Sequence, residues 1–267
     1  MTKLANLYKS LFILGAVLFF DAFIYEPYSL KTKVYHISDS QIKNIKIVFA
    51  TDFHIAPYKW EKWRLQKIIK TINDQNADLV ILGGDYVNGH SKKSTLSPHD
   101  TVSFLQQIKA PKAAVLGNHD SYYDKEEVKK CLKAVNIPVL DNENIKLNLR
   151  GIDVYIAGVS DYDTDNPDVK KALQNTASPL IFVTHSPDVF AENDIPADIS
   201  LAGHTHGGQA VLPFLGALIV NIKSGRKFTY GLVHKNGKPM IISSGLGTSV
   251  IPARFNNLPE IVVINFK

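Results

Sequence analysis

A subset of the nine histidines in this 267-residue chain recurs beside aspartate or asparagine at short spacing. Asp52 and His54 form D-x-H, and Asp85 follows a glycine pair. Asn118, His119 and Asp120 are consecutive, His185 stands alone, and His204 and His206 flank Thr205 in L-A-G-H-T-H-G-G-Q. The set offers carboxylates, imidazoles and one amide oxygen, with no thiolate. Such donors suit Mn2+, Zn2+ or Fe and do not suit a closed structural zinc site. They are too many for one ion and enough for two that share a carboxylate. Two divalent ions about 3.5–4 Å apart form the clamp used for in-line displacement at phosphorus. Glycine at 203, 207 and 208 permits a tight turn that aims both histidines into one site and leaves room for substrate oxygens.

Position along the chain joins these residues. Five apolar runs of buried-strand type each end on one of them: IKIVFA (45–50) runs into Asp52 and His54, and DLVILG (78–83) into Asp85. KAAVLG (112–117) runs into Asn118, His119 and Asp120, PLIFVT (179–184) into His185, and DISLAG (198–203) into His204 and His206. Taken singly, Asp52 or Asp85 could equally serve a turn, and His54 or His185 could be an ordinary buried histidine. Recurrence at every strand end argues for one site, because loops beyond the carboxyl ends of strands converge on a rigid frame. Helical patterns at 60–75, 98–108 and 124–135 separate the early strands, with Trp63, Ile68, Ile69 and Ile72 on one stripe of the first. Hairpins dominate later, at 145–159 with its turn at Arg150–Gly151 and at 227–244 with Asn236–Gly237 at the tip, and a strand at 260–266 ends the chain. This order predicts an α/β fold, a four-layer sandwich of two mixed β-sheets flanked by helices, in one domain over 45–267 with the metal site at the strand C-terminal ends.

The N-terminus is of another kind. Lys3 and Lys9 precede an unbroken apolar stretch from Leu11 to Phe20 with no small-x-small cleavage site after it. Residues 1–25 are therefore read as an uncleaved membrane anchor, spanning or lying in the interface, with a buried core helix as the alternative. Residues 26–44 read as a polar, extended leader. A net charge of +5 without a long Lys/Arg run gives no nucleic-acid footprint, and Cys131, the single cysteine, excludes an internal disulfide.

Taken in order, D-x-H, G-D, G-N-H-D, His185 and G-H-T-H resemble the calcineurin-like metallophosphoesterase superfamily. GHTHGGQ, LPFLG (212–216), SSGLGTS (243–249) and PARFNNLPEI (252–261) are similar to its membrane-anchored YaeI/YkuE-type phosphodiesterase branch. The resemblance implies Asp52, His54 and His206 on one metal, Asn118, His185 and His204 on the other, and Asp85 bridging. It implies that metal-activated water attacks phosphorus, and that His119 stabilises the transition state and protonates the leaving oxygen, with Asn88 and Asp120 as orienting residues. One position departs: superfamily members often carry G-D-x-x-D, whose last Asp orients that histidine, and here it is Asn88.

The implied function is hydrolysis of a phosphodiester or pyrophosphate bond in a lipid-linked substrate such as UDP-2,3-diacylglucosamine, an intermediate of lipid A biosynthesis, at the bacterial inner membrane. A broad phosphomonoesterase, a nuclease of the same superfamily and a scaffold without activity are the rivals. Two further stretches bear on a membrane substrate. Residues 210–220 (AVLPFLGALIV) are apolar for longer than a half-buried strand needs, unless they form a bent core strand. SVIPARF (249–255) sets Arg254 among Val250, Ile251 and Phe255, a combination suited to gripping a phosphate beside an acyl chain.

Overall fold

The computed structural model describes residues 2–38, 41–89 and 91–267. The leader's residues 39 and 40 lie outside this description. The chain begins with helix α1 (Thr2–Phe20), which continues through a π-helical turn (Asp21–Tyr25) and a 3-10 turn (Glu26–Tyr28). Together Lys3–Tyr28 make a helical segment long and apolar enough to cross a membrane. None of its most apolar window is buried against the protein, which removes the core-helix alternative.

The leader is not a free tether. Strand β1 (Lys31–Ile37) lies along the edge of the first sheet, parallel to the last strand of the chain, so the folded domain starts before residue 45. Strands β2 (Lys46–Ala50), β3 (Leu79–Leu82) and β4 (Lys112–Ala114) run parallel within that sheet. Helices α2 (Lys59–Asp74), α3 (Pro98–Leu105) and α4 (Asn118–Ala134) alternate with them. The hairpin of β5 (Glu143–Leu149) and β6 (Ile152–Gly158) opens the second sheet. Short helix α5 (Val169–Ala172), β7 (Leu180–Val183), helix α6 (Asp188–Glu192) and β8 (Ile199–Ala202) follow. A small surface hairpin, β9 (Val211–Leu212) and β10 (Gly216–Ala217), precedes the larger hairpin of β11 (Gly231–Lys235) and β12 (Lys238–Ile242). Strand β13 (Glu260–Phe266) returns to the first sheet, whose order is β1-β13-β2-β3-β4; the second is β11-β12-β8-β7-β6-β5.

Alternation at period two explains the layers. On β2, Ile47 and Phe49 face the second sheet, packing with Ile156, Ile181 and Leu201, whereas Val48 and Ala50 face α2–α4. Phe182, Met240 and Ile242 turn to the outer side of the second sheet, against Val189 and Phe190 of α6. The result is the expected four-layer sandwich of two mixed sheets flanked by helices.

Two helices differ from expectation. The buried face of α2 is Leu65, Ile68, Ile69 and Ile72, extended by Glu61 and Arg64, while Trp63 is exposed. Stepping back four residues from Leu65 reaches Glu61, so Trp63 lies on another face of the helix. Helix α4 begins at Asn118, with an extended break at Asp124. Its first turn, invisible to periodicity because it is polar, carries Asn118, His119 and Asp120. The 210–220 stretch is no core strand: Phe214 at the β9–β10 turn is fully exposed, and Leu215, Leu218 and Ile219 are exposed beside it.

Candidate active site

The parallel strands β2, β3, β4, β7 and β8 deliver their following loops to one end of the sandwich. Asp52, His54, Asp85, His204 and His206 all sit there in left-handed backbone conformation, with φ between 42° and 69°. Each such residue costs about 1–3 kcal/mol, and strain of this kind persists only where surrounding bonds over-determine it. Here they do. Asp52 N–H donates to Gly84 O and His54 N–H to Asp85 O, both at 3.0 Å, and Gly203 N–H donates to His185 O at 2.9 Å. Glycine is required where the loops meet. A Cβ on Gly203 would collide with Asp52 Oδ2, and one on Gly117 with Asp85 Oδ1.

The side chains fall into linked groups. Asp52, His54 and His206 place one donor atom each within 4.8 Å of one another, as do Asp52, Asp85 and His185. His54 Nε2 and His206 Nε2 face each other at 3.0 Å. Asp85 Oδ2 lies 3.3 Å from His54 Nε2 and 3.2 Å from His185 Nε2, so one carboxylate oxygen touches both sides of the site. Its Oδ1 accepts the His119 main-chain N–H at 2.9 Å. Asn118 Oδ1 stands 3.1 Å from His204 Nδ1. All seven residues expected to bind metal are thus brought together and buried.

Backbone carbonyls orient three of the rings. His185 Nδ1 pairs with Gly83 O at 2.8 Å, His204 Nε2 with Asn221 O at 3.0 Å, and His119 Nδ1 with Asn88 O at 2.6 Å. A carbonyl only accepts, so in each case the nitrogen facing it carries a proton; on His185 and His204 the other nitrogen is turned toward Asp85 and Asn118, where a metal-binding histidine needs it.

The electrostatics point the same way. Burial pushes His54 well below the ordinary imidazole value and takes His206 down to about 3, so both stay neutral and can coordinate. Burial opposes ionisation of Asp85, but the His185 and His54 rings beside it hold it well below the usual carboxylate range. Burial likewise opposes a proton on His185, and Asp85 outweighs it. The ionised Asp85 calls for positive charge beside it, which a proton on His185 supplies and a divalent ion would supply in its place. The donor set therefore fits two divalent ions, with Asp52, His54 and His206 able to hold one, Asn118, His185 and His204 the other, and Asp85 both.

Around this set the structure changes three assignments. Asn88 meets His119 through its main-chain carbonyl and not its amide, because the Asn88 Nδ2 is turned away to Ser94 O at 3.2 Å. Asp120 points away from the His119 ring: its carboxylate accepts N–H groups from Asp85 at 2.8 Å, Tyr86 at 2.9 Å and Gly117 at 3.0 Å, clamping the loop after β3 to the start of α4. Burial, then the charge of Asp85, raises its pKa to about 7.

Arg254 does not grip substrate. It is wholly buried, and its guanidinium donates to the carbonyls of Ser244, Gly245, Gly247 and Asn257. An arginine amid apolar neighbours in sequence can serve either purpose; here the loop wraps it. That loop, Ser243–Gly247 after β12, is the part of the site whose role went unread. It backs Asp52 through Leu246 N–H to Thr51 O at 3.0 Å and Gly247 N–H to Asp52 O at 2.6 Å. Arg64 braces it from α2 through Leu246 O at 3.1 Å, and only the glycines in SSGLG hinted at such packing.

Fold and site together define a metal-dependent phosphoester hydrolase. Residues 33–208 match the calcineurin-like phosphoesterase family, to which the chain belongs and whose members use a two-metal site. It is 32% identical over 254 residues to the metallophosphoesterase YkuE of Bacillus subtilis, covering 91% of this chain and 87% of that one. A metallophosphoesterase of Aquifex aeolicus is 30% identical over 257 residues, covering 91% and 94%. The phosphodiesterase YaeI of Escherichia coli is 28% identical over 223 residues, covering 82% and 81%.

Proposed function

We propose that the protein is a two-metal phosphodiester or pyrophosphate hydrolase that draws a lipid-linked phosphate, of the UDP-2,3-diacylglucosamine type, from the surface of a bacterial inner membrane. The observation that carries the two-metal reading is the single oxygen of Asp85 set between His54 and His185. Two ions held there would supply an activated water and neutralise charge on the phosphate. The chain's own residues do the rest. His119, held by the Asn88 carbonyl through Nδ1, turns Nε2 toward the leaving oxygen, with Ser249 Oγ 3.4 Å from it; in its doubly protonated form it would give the Nε2 proton to that oxygen and be left neutral. Its fixed ring spares the transition state the cost of orienting a proton donor.

The membrane part rests on where apolar surface lies. The loop 249–255 docks on the end of the N-terminal helical segment, with Arg254 N–H donating to Ala22 O at 2.8 Å, and exposes Val250 and Ile251. The β9–β10 hairpin joins it through Val211 N–H to Phe255 O at 2.9 Å and exposes Phe214 and Leu215. Anchor, loop and hairpin thus form one apolar rim next to the site, larger than scattered surface hydrophobes. A diester is favoured over a monoester because an apolar rim beside the site suits a substrate that keeps a lipid group on phosphorus while the other substituent leaves. The test compares an aryl phosphodiester with the matching monoester, Mn2+ present: the diester should be the faster. A monoester hydrolysed faster would replace this reading with the phosphomonoesterase one.

A further inference from the structure

A cleft of roughly 500 Å3 runs from His54 and Asn88 outward between the start of α2 and the loop 247–252. Two of its polar side chains are largely committed within the protein. Arg64 donates to Glu61 Oε2 at 2.7 Å, to Phe53 O at 2.8 Å and to Leu246 O at 3.1 Å, while the Asn88 amide serves Ser94 O. The remaining walls are mostly apolar: Ala56, Tyr58, Trp60, Val250, Ile251 and Pro252. Tyr58 and Trp60 stack on each other, centroids 4.5 Å apart, and both are exposed. Pro27 and Tyr28, the last residues of the membrane-length helical segment, complete the cleft.

We propose that this cleft is the subsite for an acyl or alkyl chain attached to the scissile phosphate, entered from the bilayer at Pro27 and Tyr28. The proposal rests on the phosphodiesterase reading and adds to it the place where the lipid is held. Three features select this ligand. The inner end opens at the metal-binding side chain His54, so a chain lying in the cleft sets its phosphate at the site. The guanidinium of Arg64 is committed to Glu61, Phe53 O and Leu246 O, and the Glu61 carboxylate offsets its charge, so the cleft offers little to a second anion. The wall at residues 27–28 is the end of the membrane-length helix, so a chain leaving a bilayer spanned by that helix would meet the cleft there.

The test uses the full-length protein in lipid nanodiscs, with Mn2+ and a series of aryl alkyl phosphodiesters from methyl to octyl. Wild type should gain up to about fourfold in kcat/KM per methylene as the chain enters the cleft. Ala56→Phe, which fills the cleft, and Ile251→Asp, at its exposed rim, should both flatten this dependence. Partition of the longer esters into the nanodisc is common to all three proteins, so the contrast between them isolates the cleft. Ile251 is half exposed, so its variant decides the matter if Ala56→Phe does not fold. The same chain-length slope in wild type and Ile251→Asp would overturn the subsite while leaving diester hydrolysis standing. Failure of every diester, the methyl ester included, would instead overturn the parent reading.

Discussion

Asp85 and His119 are neighbours with opposite tasks, and substitution should separate them. His119 donates its main-chain N–H to Asp85 and keeps its ring tied to Asn88 O. His119→Ala should lower turnover about 10²–10⁴-fold while metal content, read by plasma mass spectrometry, is retained. Loss of metal instead would make His119 a ligand, a placement its closeness to His54 and Asp85 permits. Asn88→Asp is a finer probe. Because the orienting atom is the carbonyl and not the side chain, turnover should change little; a large gain on poor leaving groups would show that a charge at 88 reaches the ring. At this scale the sequence was most legible, since ligand types and their order need no coordinates. The left-handed conformations of five ligands and the carbonyls that set the ring tautomers were not legible, because backbone geometry at a site is imposed by the loops around it.

At the scale of elements, the sheets were legible wherever apolar runs or Asn-Gly turns marked them. What escaped was whatever depends on distant partners. Strand β1 is polar at its exposed positions apart from Val34 and becomes a strand by pairing with β13, more than two hundred residues away. Glu26 accepts N–H groups from Asn256 at 2.7 Å and Asn257 at 3.1 Å, and Asn257 Nδ2 in turn donates to the carbonyl of His206 at 2.6 Å. A chain beginning at Asp21 should therefore fold and hydrolyse a soluble diester, whereas one beginning at Lys43 should be destabilised and weakened in metal binding, as urea melts and metal titration would show. Equal stability of the two would mean that β1 and Glu26 are dispensable. Arg254→Met should cost about 3–5 kcal/mol of stability, since it leaves four buried carbonyls without their donor. If the variant were as stable as wild type and only KM rose, Arg254 would be a substrate group after all.

For the molecule as a whole, the apolar rim makes a prediction that does not depend on the N-terminal helix. The chain beginning at Asp21 should still bind anionic vesicles through the β9–β10 hairpin, helped by Lys223 and Arg226 nearby in the chain. Replacing Phe214 and Leu215 by serine should weaken that binding at least about tenfold, because neither side chain is buried in the fold and both are free to enter lipid. Cosedimentation measures it, and undiminished binding would mean that the hairpin stays in water. The rim could not be read from the sequence alone, since 210–220 is as apolar as a core strand and only its position on the surface tells the two apart.

The central claim, two ions joined by Asp85, is tested most directly by metal titration. Metal-free protein titrated with Mn2+ should gain aryl diester turnover up to two equivalents per chain and no further. Asp85→Asn should bind fewer than two and lose more activity than a substitution of any single histidine ligand. Saturation at one equivalent, or an Asp85→Asn protein as active as wild type in metal-replete buffer, would contradict it.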